Sequence, residues 1–405
     1  METKEITSST KRIEIVDALR GFSLAGIVIV HMVENYIAGP PPSAIAEVAN
    51  QGIADSIVDG FILFLLRGKF FALFSFLFGL SFFIQMNNAA RKNQYFGGRF
   101  LWRLILLLAI GYLHSLFYAG DILTIYAMLG ILLIPFYKIG TKWIVALAAF
   151  LFLGPGRYVF FMLNGGDPIF GLMDYTPDSP SLMEYYNTLK TGSLLDVFST
   201  NGYASHLNKF DFQFGVFGRG YLTFGFFLLG MIIGRIGFFK TYEDNKKFVK
   251  RTLIWSIVLY FVSIGLMAVT FGSLGENVTF DNWVAMFGLS AYDLNNVAMT
   301  FILICLFVIL YKRIKPKKWL STFIPYGRMA LTNYFLQSAI GTFILFGWGL
   351  GYLGELRNIY TFAIAIVIIV FQVLFSKWWL KRYQYGPLEW IWRSATFLKR
   401  FPMKK

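Results

Sequence analysis

The chain alternates long apolar stretches with short charged connections. Residues Phe70 to Ala90, Thr252 to Gly275, Leu294 to Tyr311, Met329 to Gly354 and Asn358 to Ser376 contain no Asp, Glu, Lys or Arg. Each is close to the roughly 20 residues with which a helix crosses a bilayer. Shorter apolar stretches fill the gaps, and the pattern predicts about 10 transmembrane helices. They start near Asp17, Asp59, Arg99, Ile122, Lys142, Phe214, Thr252, Phe287, Met329 and Ile359. The reading is of an all-α, polytopic integral membrane protein with one membrane domain over residues 1–405. Continuous rather than alternating apolar runs exclude a barrel, and the lack of a clean internal repeat excludes a solenoid.

Residues 163–213 break the pattern. They hold Gly165, Gly166, Pro168, Pro177 and Pro180, and set Asp167, Asp174, Asp178, Glu184, Asp196 and Asp211 against Lys190 and Lys209. A connection of that length is usually functional or unstructured. We read it as an extracytoplasmic loop with a short helix over Ser181 to Phe198, serving either as a lid across the outer mouth or as a passive connection.

Charge then orients the chain. Arg91, Lys92, Arg99 and Arg103 fall between spans two and three, and Lys138 and Lys142 between four and five. Six Lys/Arg run from Arg235 to Arg251, including Lys240, six more from Lys312 to Arg328, and eight lie in the tail from Lys377. The intervening connections lack them: 39–60 has Glu47, Asp55 and Asp59, and 272–286 has Glu276 and Asp281. Positive residues stay on the cytoplasmic side, so both termini are expected in the cytoplasm, with the chain in the cell membrane.

Composition agrees: 57% of residues are hydrophobic, 15% charged, and 45 are Phe. The net charge of +15 is mostly this topological signal. It implies the lipid bilayer as partner and no nucleic acid, because the basic clusters sit beside spans rather than in one soluble domain. Cys305 is the only cysteine, and His31, His114 and His206 lack close metal-ligand spacing, so no metal is expected. No GxxxxGK[ST] loop is present, which argues against an ATP-driven pump.

The candidate chemistry lies in polar groups placed where lipid should be. A charge in the hydrocarbon costs about 2.5–3.5 kcal/mol on insertion scales, so each needs a partner, water or a function. Arg20 and His31 return to within about 20° of one helical face, separated by about 16 Å along the axis. Asp17 lies a turn below Arg20, and Glu34 and Asn35 a turn above His31, which makes a polar stripe along the first span. Arg67, Lys69, His114, Asp121 and Asp293 fall at comparable depth in other spans. Pairing Glu34 or Asp293 with Arg67 or Lys69 would relieve their burial. Arg328, Asn333 and Gln337 line up at helix spacing in the ninth span, as helix glue or cavity lining. His31 is the best acid/base candidate, with Glu34 to fix its tautomer. In the segment GPLEWIWR (386–393), Glu389 and Arg393 have the spacing of a helical ion pair.

The segment IVDALRGFSLAGIVIVH resembles the opening of the transmembrane acyltransferase superfamily, whose acyltransferase-3 branch has an arginine and a histidine separated by ten residues, as Arg20 and His31 are. KFFALFSFLFG (69–79), GRMALTNYFLQS (327–338) and GPLEWIWR (386–393) are similar to signature segments of the YeiB family, with residues 230–395 as a YeiB-like C-terminal module. The resemblance implies transfer of an acyl group from cytoplasmic acyl-CoA to an envelope carbohydrate or lipid acceptor. Arg20 would position the donor, His31 would act as general base, and no cofactor would stay bound. Members of the YeiB family often carry asparagine where this chain has His31, a departure towards a base. The alternative is a transporter or exporter of a small metabolite or envelope precursor, with Glu34, Asp293, Arg67 and Lys69 as its ionisable pathway.

Overall fold

The computed structural model describes residues 13–94, 96–172, 174, 176–239, 245–275 and 278–405. Lys240 and Glu276 of the charge pattern lie outside the described residues. The regular structure among them is helical. Helices α1 (Glu14–Val33), α2 (Ser43–Ala49) and α3 (Ile53–Phe61) lead through a π-helical turn, Ile62–Leu66, into α4 (Phe70–Ala90). Then come α5 (Gly97–Phe117), α6 (Leu123–Phe136), α7 (Thr141–Phe152), α8 (Pro155–Asn164), α9 (Pro180–Thr191), α10 (Leu194–Gly202) and α11 (Ala204–Phe214). The second half holds α12 (Arg219–Arg235), α13 (Lys246–Ser273), α14 (Trp283–Tyr311), α15 (Ile314–Leu320), α16 (Phe323–Arg328), α17 (Ala330–Leu345), α18 (Asn358–Arg382) and α19 (Pro387–Phe397).

Among the described residues, six helical runs are long and apolar enough to cross a membrane: α1, Ile53–Ala90, α5, α13, α14 and α18. The bent pairs α7–α8 (51°) and α11–α12 (69°) raise the number to eight if each is one span. The remaining expected starts fall on α6, of 14 residues, and α17, of 16. Both are shorter than an ordinary crossing.

Burial sorts these helices. In its most apolar window α1 is 72% buried, whereas α13 is 11% buried. Accordingly α1 packs against α4, α16, α17 and α18, while α13 leans on α14 and turns Trp255, Phe261 and Val269 outward. Apolar groups gain nothing by leaving lipid, so close contact must come from shape. Gly79 of α4 and Gly230 of α12 provide it reciprocally: a side chain on Gly79 would strike the Phe227 carbonyl, and one on Gly230 the Phe76 carbonyl.

Arg157 explains the two bends. Helices α7 and α8 part at Gly154, and α11 and α12 at Gly218, both with left-handed φ (69° and 63°). A broken helix frees carbonyls that lipid cannot satisfy. The fully buried Arg157 donates to two of them, the Val216 carbonyl at 2.5 Å and the Phe217 carbonyl at 2.9 Å. It also donates to Ser290 Oγ at 2.8 Å and to Asp293 Oδ2 at 2.5 Å, both on α14. One guanidinium thus ties α8, the α11–α12 break and α14 together.

The loop of residues 163–213 carries three helices instead of the single short one expected. Ser179 caps α9 by accepting from the Leu182 amide, and Ser193 and Asp196 form a reciprocal capping box on α10. The expected helix is divided at Gly192, whose ψ of 155° is extended. Leu182, Tyr185, Tyr186 and Leu189 of α9 are buried, and the Leu189 carbonyl accepts from the Gly347 amide, so this segment closes one end of the bundle.

Three outcomes are expected. Gly230→Leu forces α12 off α4 and lowers stability by about 1–3 kcal/mol or more, read as a fall in detergent melting temperature. Asp293→Ala leaves Arg157 uncompensated and costs about 3–5 kcal/mol. Glu34→Gln, at the half-exposed Glu34–Arg67 pair, stays within about 1 kcal/mol. Equal losses in the last two variants would show that the two pairs do not differ in burial as described.

Candidate functional site

A cavity of about 1000 Å³ opens at the end where α4, α12 and α18 finish and α1, α5 and α17 begin. Six arginines line it (Arg20, Arg91, Arg103, Arg235, Arg328 and Arg393), against two carboxylates, Asp17 and Glu389. Its depth is apolar, built from Phe74, Phe78, Leu104, Leu107 and Leu123, with Tyr126 and Tyr334.

The polar groups of this basic end are held in place. Arg20 donates to Asp17 Oδ1 and to Ser81 Oγ, both at 2.9 Å. The Arg103 guanidinium lies 3.5 Å from the centre of the Trp392 ring, whose indole N–H donates to the Arg103 carbonyl at 2.9 Å. Glu389 accepts from the Leu331 and Thr332 amides at 2.7 and 3.1 Å and from the Thr332 hydroxyl at 2.6 Å. It thus caps α17 from a different helix instead of making the expected ion pair with Arg393, which faces Tyr385, Phe397 and Phe401. Burial pushes the Glu389 carboxyl up, while the hydrogen bonds from Thr332 and Leu331 oppose that rise.

Beyond Tyr334 lies a second polar group. The Tyr334 ring is 4.6 Å from that of His114, which is fully buried. His114 Nδ1 stands 2.8 Å from Asp121 Oδ1, and Nε2 stands 2.9 Å from Ser338 Oγ. The other Asp121 oxygen accepts from the Thr124 amide at 3.0 Å and faces Lys209 Nζ at 3.9 Å. Asp121 therefore caps α6 with its charge against the positive end of that helix.

The expected stripe on α1 is divided between these places. Asp17 and Arg20 border the cavity; His31, Glu34 and Asn35 do not. Leu24, Ile27 and Val28 are buried between them. His31 does not meet Glu34: its ring lies against Tyr118 and Tyr36 (4.8 and 5.3 Å), and its buried Nδ1 has no hydrogen-bond partner among the described residues. It is within electrostatic range of His114 and Asp121. Glu34 accepts from Arg67 Nε at 2.6 Å, as the sequence allowed. Asn35, in the left-handed region (φ 54°), donates to the Val33 carbonyl.

The remaining candidates scatter. Lys69 is buried and donates to the Leu63 carbonyl at 3.0 Å. Asp293 meets Arg157 rather than Arg67 or Lys69. Arg328 borders the cavity and reaches the Gln384 carbonyl at 3.4 Å. Asn333 is glue, donating to Ser376 Oγ at 2.8 Å, while both side-chain polar atoms of Gln337 are buried without a partner among the described residues. Sequence reasoning passed over Arg157, although it is the lone charge between Trp143 and Gly166. It gave no role to Lys209 or Tyr334.

Residues 233–399 match a family model described as "Protein of unknown function (DUF418)". The chain is similar to "Uncharacterized protein YxaH" of Bacillus subtilis (strain 168), 28% identical over 425 residues that cover 100% of this chain and 99% of that protein. Similarity to "Uncharacterized protein YeiB" of Escherichia coli (strain K12) is 25% identity over 389 residues, covering 94% and 95%. An uncharacterized 39.9 kDa protein from Bacillus acidopullulyticus is 26% identical over 403 residues, covering 97% and 96%. These matches, together with the all-helical apolar architecture, support a YeiB-like family of membrane proteins.

Proposed function

We propose that the protein is a membrane-embedded acyltransferase that draws a cytoplasmic acyl-CoA into the arginine-lined cavity and passes its acyl group to an envelope carbohydrate or lipid. The observation that carries this reading is the cavity itself. Its volume of about 1000 Å³ lies at the upper end of the range of small-molecule sites. A rim of arginines suits phosphates, which they bind in a bidentate manner. The aromatic and leucine-lined depth suits an acyl chain. Joined in one volume, they fit a long anionic thioester better than a simple ion or a sugar. The basic end is taken as cytoplasmic, because basic connections lie on that side.

In this reading Arg20, fixed by Asp17 and Ser81, and Arg103, set against Trp392, hold the donor. A base is required beyond Tyr334. His114, backed by Asp121, has the better geometry for it, and His31 stands farther along towards the acceptor. Export has less support, because the carboxylates of that pathway, Glu34 and Asp293, are closed into pairs with Arg67 and Arg157 instead of lining a path.

Purified protein in nanodiscs is expected to bind labelled palmitoyl-CoA saturably and more tightly than acetyl-CoA. Arg103→Gln is expected to weaken that binding by about tenfold or more, as loss of one charge-assisted contact to phosphate does. Absence of saturable binding, together with no transfer of label to envelope extract, would overturn the reading.

A further inference from the structure

Ser338 of α17 meets His114 and Asp121 of the α5–α6 corner, and the three form one buried line. Asp121 is fixed from two sides, by the Thr124 amide and by Lys209 Nζ. An ionised carboxylate only accepts, so the proton between Asp121 and His114 resides on Nδ1. In the neutral imidazole Nε2 then keeps its lone pair, 2.9 Å from Ser338 Oγ, whose hydroxyl can donate to it. This is the order of roles by which a serine is activated: carboxylate orients imidazole, imidazole takes the hydroxyl proton. Elsewhere α17 is tied by a simpler device, Asn333 to Ser376, with no carboxylate or lysine behind it.

Two neighbours complete the arrangement. The Tyr36 hydroxyl donates to the backbone carbonyl of Gln337 at 3.0 Å, and its oxygen lies beside the Ser338 side chain. Tyr334, one turn before Ser338 on α17, borders the cavity on one side and His114 on the other. Ser338 lies about 12 Å along α17 from its first residue. The tyrosine ring is thus a partition between cavity and hydroxyl.

We propose that Ser338 is a catalytic nucleophile that carries the acyl group as an ester between donor and acceptor; the thioester identity of the donor rests on the acyl-transfer reading above. Ser338 Oγ attacks the thioester carbonyl carbon while its proton passes to His114 Nε2. The C–S bond breaks, the sulfur takes that proton, and the free thiol departs. The hydroxyl of the acceptor then attacks the serine ester, giving its proton to His114. The ester C–O bond breaks, and Ser338 Oγ recovers the proton. No oxidant or reductant enters; the uncharged thioester end reaches past Tyr334, and the carrier's phosphates stay on the arginine side.

The test is acylation of the full-length protein in detergent with p-nitrophenyl acetate, a small activated ester, located by peptide mass spectrometry. An acetyl adduct on Ser338 is expected in the wild-type protein. His114→Ala is expected to slow it by about 100-fold or more. Tyr334→Ala, which opens the partition, is expected to form the adduct at least as fast as the wild type. No adduct on Ser338 in either the wild type or Tyr334→Ala, with both retaining their melting temperature, overturns the nucleophile. So does an adduct whose rate is unchanged in His114→Ala. A protein that acylates Ser338 but does not bind palmitoyl-CoA refutes the donor reading and keeps the serine. A Ser338→Ala protein that still transfers palmitoyl groups at the wild-type rate refutes the serine and keeps the cavity.

Discussion

The Asp121 carboxylate is the interaction on which the architecture beyond the cavity depends. It is fully enclosed, and its contacts come from several parts of the protein. Its partners belong to different elements: His114 to α5, Thr124 to α6 and Lys209 to α11, with Ser338 of α17 reached through the imidazole. A buried charge is tolerated only when paired and hydrogen-bonded, and removing any of these partners would expose its desolvation cost. The position of α11, at the end of the acidic loop, follows from Lys209 having to reach this anion.

The same rule accounts for the irregular backbone. Lipid admits broken helices only where something else takes the freed carbonyls, and Arg157 takes them from Val216 and Phe217. Its own charge is then answered by Asp293, with Arg219 3.9 Å from the other carboxylate oxygen. The left-handed glycines Gly154 and Gly218 both pack beside the guanidinium. The bends therefore have a cause in one side chain, and the ion pair is part of the backbone's hydrogen-bonding rather than an addition to it.

What the sequence revealed follows from the range of the forces involved. Apolar runs mark helices because length and hydropathy are local properties, and the starts near Thr252 and Ile359 fall on α13 and α18. The Glu34–Arg67 contact was within reach of the same reasoning, since both groups fall at one depth. The Ser338–His114 contact joins residues 224 apart and depends on how α5 meets α17. Helical spacing on α1 rightly grouped Arg20 with Asp17, but it could not show that apolar residues of α1 close the stripe before His31. For Glu389, local spacing suggested Arg393, whereas the unsatisfied amides at the start of α17 are the stronger claim on a carboxylate.

Charge balance separates the two ends of the bundle chemically. The cavity gathers six arginines with Asp17 and Glu389, and Glu389 is already committed to the amides of α17. Its surplus positive charge favours an anionic occupant. Beyond Tyr334 the carboxylates each face a cation: Asp121 with Lys209, Asp293 with Arg157, Glu34 with Arg67. Admitting an anion there would require breaking a buried pair, at a cost of about 3–5 kcal/mol for the enclosed ones. A neutral group faces no such barrier. The electrostatics thus favour holding the charged end of a carrier on the basic side, while an uncharged thioester end that passes Tyr334 can reach the buried histidine and serine.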